Sequence, residues 1–176
     1  MGRAAVRQVL TQYLTDAKIP FVGKVYSARP FIVDEDDYEV SIAAGTTELV
    51  GNTTGTGAVL ICHLPDSNRE RVTMTGRKFV DDKTIHDVVL ELLFANNGGD
   101  AVVAQDDHDT ICDAITVALR ADPLLGNPQV VWSSGEFRPI KVEQHEPYCT
   151  SESTTVFIPT TLTFQVWEWI AGPSGV

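Results

Sequence analysis

Two short runs concentrate the side chains that could do chemistry: Asp34-Glu35-Asp36-Asp37 and Asp106-Asp107-His108-Asp109. Carboxylates grouped with an imidazole can hold a divalent cation or activate a water. A small metal-dependent enzyme using Asp36, Asp37, His108 or His145 is therefore one reading of the chain. Spacing favours a plainer one for the second run. Neighbours on a helix are turned by about 100°, so His108 points inward while Asp109 points away, which leaves a solvated face and one core-edge histidine. The first run lacks the Asp/Asn alternation, the glycine and the closing glutamate of an EF-hand loop. A hydrated loop fits it, as does an acidic rim facing DNA or a partner. The expectation is no catalytic residue, no metal and no cofactor.

Other motifs fail on their neighbours. The glycines between Gly51 and Gly57 are followed by a strand rather than by Gly-Lys-Ser/Thr and a helix, so they make no phosphate cradle. No Gly-x-Ser-x-Gly elbow occurs, and His145-Glu146 has no second histidine at zinc-protease spacing. The four histidines His63, His86, His108 and His145 have no recognisable partners along the sequence. Cys62, Cys112 and Cys149 are odd in number and widely spaced, which suggests neither a zinc site nor a disulfide framework.

Around these groups stands an ordinary globular composition of 43% hydrophobic and 21% charged residues, enough for one core and one domain over 1–176. The formal charge of −11 argues against gripping phosphates but lets DNA pass nearby without sticking. The opening Met1-Gly2-Arg3-Ala4-Ala5-Val6-Arg7 lacks the apolar run of a secretory signal, and no later segment is apolar enough to span a bilayer. Synthesis in a reducing host cytoplasm, with no membrane partner, is the expectation.

The elements that must position these residues read as α+β: a mostly antiparallel sheet flanked by an N-terminal helix and a central amphipathic helix. Val6, Val9, Leu10, Tyr13, Leu14 and Ala17 line one side of the first helix, which Pro20 ends. An extended segment over 22–30 follows, then a long Gly/Thr/acidic loop at about 34–57, within which 38–43 alternates as a strand would. Residues 58–64 are apolar on both faces, as in a buried strand. Pro65-Asp66-Ser67-Asn68 reads as a turn, and 71–75 as the returning hairpin partner. Residues 85–94 fit a strand with His86, Val88, Leu90, Leu92 and Phe94 on one face, and also fit a helix. The Asn96-Asn97-Gly98-Gly99 break and the helix after it favour the strand. That helix, from about 101 to 120, gathers Ala104, His108, Ile111, Cys112, Ile115 and Leu119 on one side and Asp106, Asp109, Asp113 and Arg120 on the other. Asp100 suits its N-cap, and Asp122-Pro123 ends it. Short strands are expected at 130–132 and 137–144. The last strand sets Leu162, Phe164, Val166 and Ile170 against Thr161, Thr163, Gln165, Trp167 and Trp169. The tail at 172–176 should fray.

Three groups look like contacts rather than catalysts. Arg77, Lys78 and Phe79 combine a cation with a hydrophobe in an acidic protein. Trp167 and Trp169 present indoles away from the predicted core, and Asp106, Asp109 and Asp113 form an acidic outer helix face. All eight are candidates for a subunit interface. Asp34, Glu35, Asp36 and Asp37 are candidates for a loop facing a channel or a partner.

In order, the amphipathic helix, Lys24-Val25-Tyr26-Ser27-Ala28-Arg29-Pro30, the 57–65 strand, Thr75-Gly76-Arg77-Lys78-Phe79, the 85–94 strand with its helix, Ala121-Asp122-Pro123-Leu124-Leu125-Gly126, Val131-Trp132-Ser133-Ser134-Gly135-Glu136 and Phe164-Gln165-Val166-Trp167-Glu168-Trp169-Ile170 form a recognisable series. It resembles, over nearly the full chain, the tail-terminator proteins of long-tailed (siphovirus-type) bacteriophages, especially those infecting actinobacteria. The resemblance implies a structural virion protein whose homohexameric ring caps the tail tube at the neck, halts tail polymerisation and meets the head-completion or stopper protein of the connector. It implies the tail tube protein and further copies of itself as partners, DNA passing through the lumen, and no catalytic residues. A head-closure (stopper) protein or a tail-tube subunit would be more wholly β, so the long helix argues against both.

Overall fold

A computed structural model of the protein describes residues 2–31, 55–73, 80–96, 101–127, 131–133, 140–149 and 156–170. In chain order these form α1 (Arg3–Asp16), β1 (Val22–Tyr26), β2 (Thr56–Thr73), β3 (Val80–Asn96), α2 (Ala101–Ala121), β4 (Val131–Ser133), β5 (Lys141–Gln144), β6 (Tyr148–Cys149) and β7 (Val156–Ile170). The strands make one sheet ordered β1-β2-β3-β7-β4, with β5 and β6 also along the outer edge of β7. Among the described residues, only the β1–β2 pairing is parallel. The fold is α+β with a mainly antiparallel sheet.

The 85–94 segment is a strand, the centre of the sheet, with ladders to β2 on one side and β7 on the other. Its face alternates as strand geometry demands: His86, Val88, Leu90, Leu92 and Phe94 are buried, and the residues between them are half-buried or better covered. Ala58, Leu60 and Cys62 of β2 and Ile158, Leu162, Phe164 and Val166 of β7 share that buried face.

Both helices supply the apolar residues that complete this core. Val6, Leu10 and Leu14 come from α1; Ala104, His108, Ile111, Cys112, Ile115 and Leu119 are the buried positions of α2. The two helices touch where the Tyr13 hydroxyl donates to the Ala118 carbonyl at 2.6 Å. Burial, the nearby Asp122 carboxylate adding to it, raises the Tyr13 pKa. After α2, the Asp122 carboxylate accepts the Leu124 and Gly126 amides at 2.9 and 2.7 Å. The turn passes through left-handed Leu125 and Gly126, at φ of 52° and 71°. It buries Leu125 in the core beside α1.

Three expectations need correction. Pro65-Asp66-Ser67-Asn68 is not a turn, and 71–73 does not return as a partner of 58–64: β2 runs on for 18 residues to Thr73 and pairs with β3 on both sides of a bulge. The proline is taken up by a bulge. Pairing passes from His63↔Val89 to Asp66↔Asp87, so β2 carries one extra residue there and needs no regular ladder amide from Pro65. Ala17 is exposed rather than part of the helix stripe, because α1 ends at Asp16 and Lys18 takes a left-handed φ of 48°; Ile19 is buried in its stead. The loop expected at about 34–57 is shorter at its far end, since Thr56 and Gly57 already belong to β2. The 38–43 strand, the Asp100 cap and the 172–176 tail lie outside the described residues.

Candidate functional site

The bulge in β2 determines what faces the buried end of the sheet. Before it, even-numbered residues of β2 face the helices; after it, Ser67 pairs with His86 on that same face. The Ser67 hydroxyl lies 2.8 Å from His86 Nδ1, and His86 Nε2 lies 3.0 Å from Glu168 Oε2. With Glu168 ionised, Nε2–H donates to the carboxylate and Nδ1 accepts from the serine, a tautomer assigned from the network. His86 is 2% exposed and Glu168 1%. Serine, histidine and carboxylate in line invite comparison with a nucleophilic triad, whose serine must meet substrate and an oxyanion donor. Here the imidazole and carboxylate sit on adjacent inner strands facing the core. Such an arrangement fills buried hydrogen-bonding needs and ties together the register of three strands.

The opposite end of the same face is closed by a second polar network. Asn96 Nδ2 donates to Thr56 Oγ1 at 2.9 Å, and Thr56 in turn donates to Asp107 Oδ2 at 2.8 Å. Asp107 therefore ties the start of α2 to the sheet rather than joining a solvated acidic face. Between the two networks, His108 Nε2 lies 2.7 Å from Thr160 Oγ1, and its ring meets Phe94 edge-on at 5.6 Å. The inward direction expected for His108 holds, yet its Nδ1 reaches the Asp109 carboxylate at 3.1 Å. Asp109 also accepts from Gln105 Nε2 at 2.8 Å, and the amide of Gln105 pairs reciprocally with that of Gln144 on β5 at 3.2 Å in both directions.

Among the described residues, no group of three or more His, Cys, Asp or Glu side chains is placed to hold a metal ion. His145 is exposed, with Nε2 2.9 Å from Thr161 Oγ1. Cys62 and Cys112 are free and buried. Burial pushes the Cys62 thiol up to about 12, opposed in part by Arg7, and pushes Cys112 up to about 11 with help from Asp109 and Asp113. Both are poor nucleophiles in the folded protein, since the thiolate is the reactive form.

The face of the sheet turned away from the helices is partly polar. Val59 and Ile61 are fully buried there, while Glu91 lies 3.3 Å from His63 and 3.9 Å from Arg29. Gln165 donates to Asp87 at 2.7 Å beside a shallow cavity of about 350 Å³ that Lys141 and Thr163 also line. Trp167 is half-buried on this face, opposite in direction to Leu162, Phe164 and Val166, as its position in the strand implies. Trp169 follows it two residues along β7. Asp106, Asp109 and Asp113 are exposed on α2. Arg77, Lys78 and Phe79, and Asp34, Glu35, Asp36 and Asp37, lie outside the described residues.

No family model matches this chain, and no curated protein sequence matches it. No described helix is long and apolar enough to cross a membrane.

Glu168 is the residue that sequence reasoning passed over. Alternation from Leu162, Phe164 and Val166 places position 168 on the core face, and a carboxylate on such a face signals a buried partner. That signal stands in the sequence between Trp167 and Trp169.

Proposed function

We propose that this protein is a structural subunit of a long-tailed phage neck: a homohexameric ring that caps the tail tube, stops its polymerisation and joins the tail to the head connector. The observation that carries this reading is the length of the inner strands against the helices covering them. β2, β3 and β7 run for 18, 17 and 15 residues, where about 5–6 is usual. At about 3.3 Å per residue β2 spans roughly 60 Å, whereas the 21 residues of α2 span about 32 Å. The β2–β3 ladder is thus longer than either helix, and β7 pairs with β3 along all but the first two described residues of β3, from Asp82↔Ile170 to Asn96↔Val156. A sheet that outruns the helices covering it leaves surface that gains from burial against a neighbour.

In this reading the histidines and buried acids are structural, the chain has no catalytic role, and its site of action is the virion neck. The net charge of −11 supports a lumen through which DNA moves without specific binding. The tail tube protein and the stopper protein meet opposite faces of the ring. The test is electron microscopy of particles made without this chain. Overlong tails are expected; tails of normal length would sink the proposal, and DNA-leaking heads on normal tails would move the subunit to the stopper position.

A further inference from the structure

Charge is distributed unevenly across the sheet, and the two ends of the uneven distribution fit one another. The first 31 residues hold five basic residues, Arg3, Arg7, Lys18, Lys24 and Arg29, against the single acid Asp16, a balance of +4 in a chain of −11. They form α1 and β1, the latter at one end of the strand order. Arg3, Lys18, Lys24 and Arg29 are exposed, and Phe31 beside them is fully so.

The other end is acidic. Residues 101–127 hold five aspartates against Arg120, and residues 140–149 hold Glu143 and Glu146 against Lys141, together a balance of −5. They form α2, β5 and the turns beside them. β5 lies beyond β7, four strand positions or about 19 Å from β1. Gln105 and Gln144 join α2 to β5, so the two acidic elements form one surface. Exposed Val102 and Val117 flank Asp106 and Asp113 on α2, and Val142 and Tyr148 are exposed along the sheet edge. Each end therefore combines one sign of charge with exposed apolar side chains, the composition of a contact surface.

We infer that the α1–β1 edge of one copy of this chain docks on the α2–β5 edge of the next, a head-to-tail contact between two different patches. Contacts of this kind close into rings or run on as filaments, whereas a contact of one patch with itself stops at a dimer. The inference builds on the ring proposed above and assigns its two contacting edges. It also explains how an acidic chain can self-associate: repulsion between copies is offset where +4 meets −5.

The test uses the full chain with two surface variants, Lys18→Glu/Lys24→Glu and Asp106→Lys/Asp113→Lys, followed by sedimentation velocity at about 100 µM protein. Wild type is expected to associate in about 0.05 M salt and to dissociate in about 0.5 M, where screening shortens the reach of charge. Each variant alone should associate at least about tenfold more weakly. Mixed in equal amounts they should associate again, at least as pairs, because the unaltered basic edge of the Asp106→Lys/Asp113→Lys variant meets the unaltered acidic edge of the Lys18→Glu/Lys24→Glu variant. Unfolding in urea at the wild-type midpoint checks that both variants are folded.

Three results would overturn the inference: a wild type monomeric in both salts, variants that associate as wild type does, or a mixture that stays apart. Capture of duplex DNA through Lys18 and Lys24 without self-association would instead make the basic edge a phosphate surface. The inference and the neck function fail separately. Overlong tails with charge-insensitive association would remove the edges and keep the function. Complementary variants with tails of normal length in particles lacking the chain would do the reverse.

Discussion

Replacing His86 by leucine removes the donor that faces a carboxylate 3.0 Å away with 1% exposure. A buried charge deprived of its partner loses about 3–5 kcal/mol of stability, because the remaining group keeps its burial and loses its compensation. In a chain of 176 residues each kcal/mol moves the melting midpoint by about 2–4 °C, so His86→Leu should lower it by roughly 6–20 °C. Glu168→Leu leaves only an imidazole N–H short of an acceptor and should cost less, about 1–3 kcal/mol. The double variant replaces both polar groups by apolar ones of similar size. It should be more stable than His86→Leu alone, since replacing both partners of a buried hydrogen bond by apolar groups of similar shape can be nearly neutral. The assay is urea unfolding followed by tryptophan fluorescence, at about 1 µM protein so that self-association does not contribute. Losses that add in the double variant would refute the reasoning, for they would mean that His86 and Glu168 do not act on each other.

Two further outcomes follow from the geometry. Thr56→Val removes the hydroxyl that links Asn96 to Asp107 and should lower stability by about 1–3 kcal/mol, measured by the same urea assay; a loss near zero would show that Asp107 does not anchor α2. The thiols of Cys62 and Cys112 are raised from an ordinary value of 9.0 to about 12 and about 11. The folded state thus holds their protons more tightly than the unfolded chain does. Stability from this source is complete below pH 9.0 and is lost as pH climbs toward about 11–12. A urea midpoint that falls with pH across that window, together with alkylation of both thiols only on unfolding, is the expected result; rapid alkylation of the native protein would contradict it.

Periodicity makes the α2 face legible. All six residues placed inward by helical spacing are the buried ones, because an exposed helix on a sheet has one apolar stripe and no competing demand. The strand at 85–94 is legible from its alternation, although its length also allows a helix. Cross-strand partners are not. His86 meets Ser67 and Glu168 only through the register of three strands, and that register shifts by one residue at the bulge, which no local pattern in Leu64-Pro65-Asp66 announces. The same proline that suggests a turn is what the bulge accommodates. Asp107 looks like one of a solvated run because its anchor, Thr56, is 51 residues away in sequence. Of the proposed contact surfaces, the acidic one is legible in the exposure of Asp106, Asp109 and Asp113, while the five cations proposed to face it, from Arg3 to Arg29, are spread over 27 positions and form no run.

The bulge at Leu64 and Pro65 has a consequence for how β2 tolerates a change in length. Elsewhere in a strand, losing one residue inverts which side chains face inward over the stretch it shifts. At the bulge one residue is surplus to the ladder, so a chain without Pro65 would run from His63 through Leu64 and Asp66 with Ser67 still opposite His86. β2 behaves like two phrases joined by a single silent beat. That beat can be dropped without transposing either phrase, which leaves the hairpin free to vary in length at one point while both of its halves keep their tune.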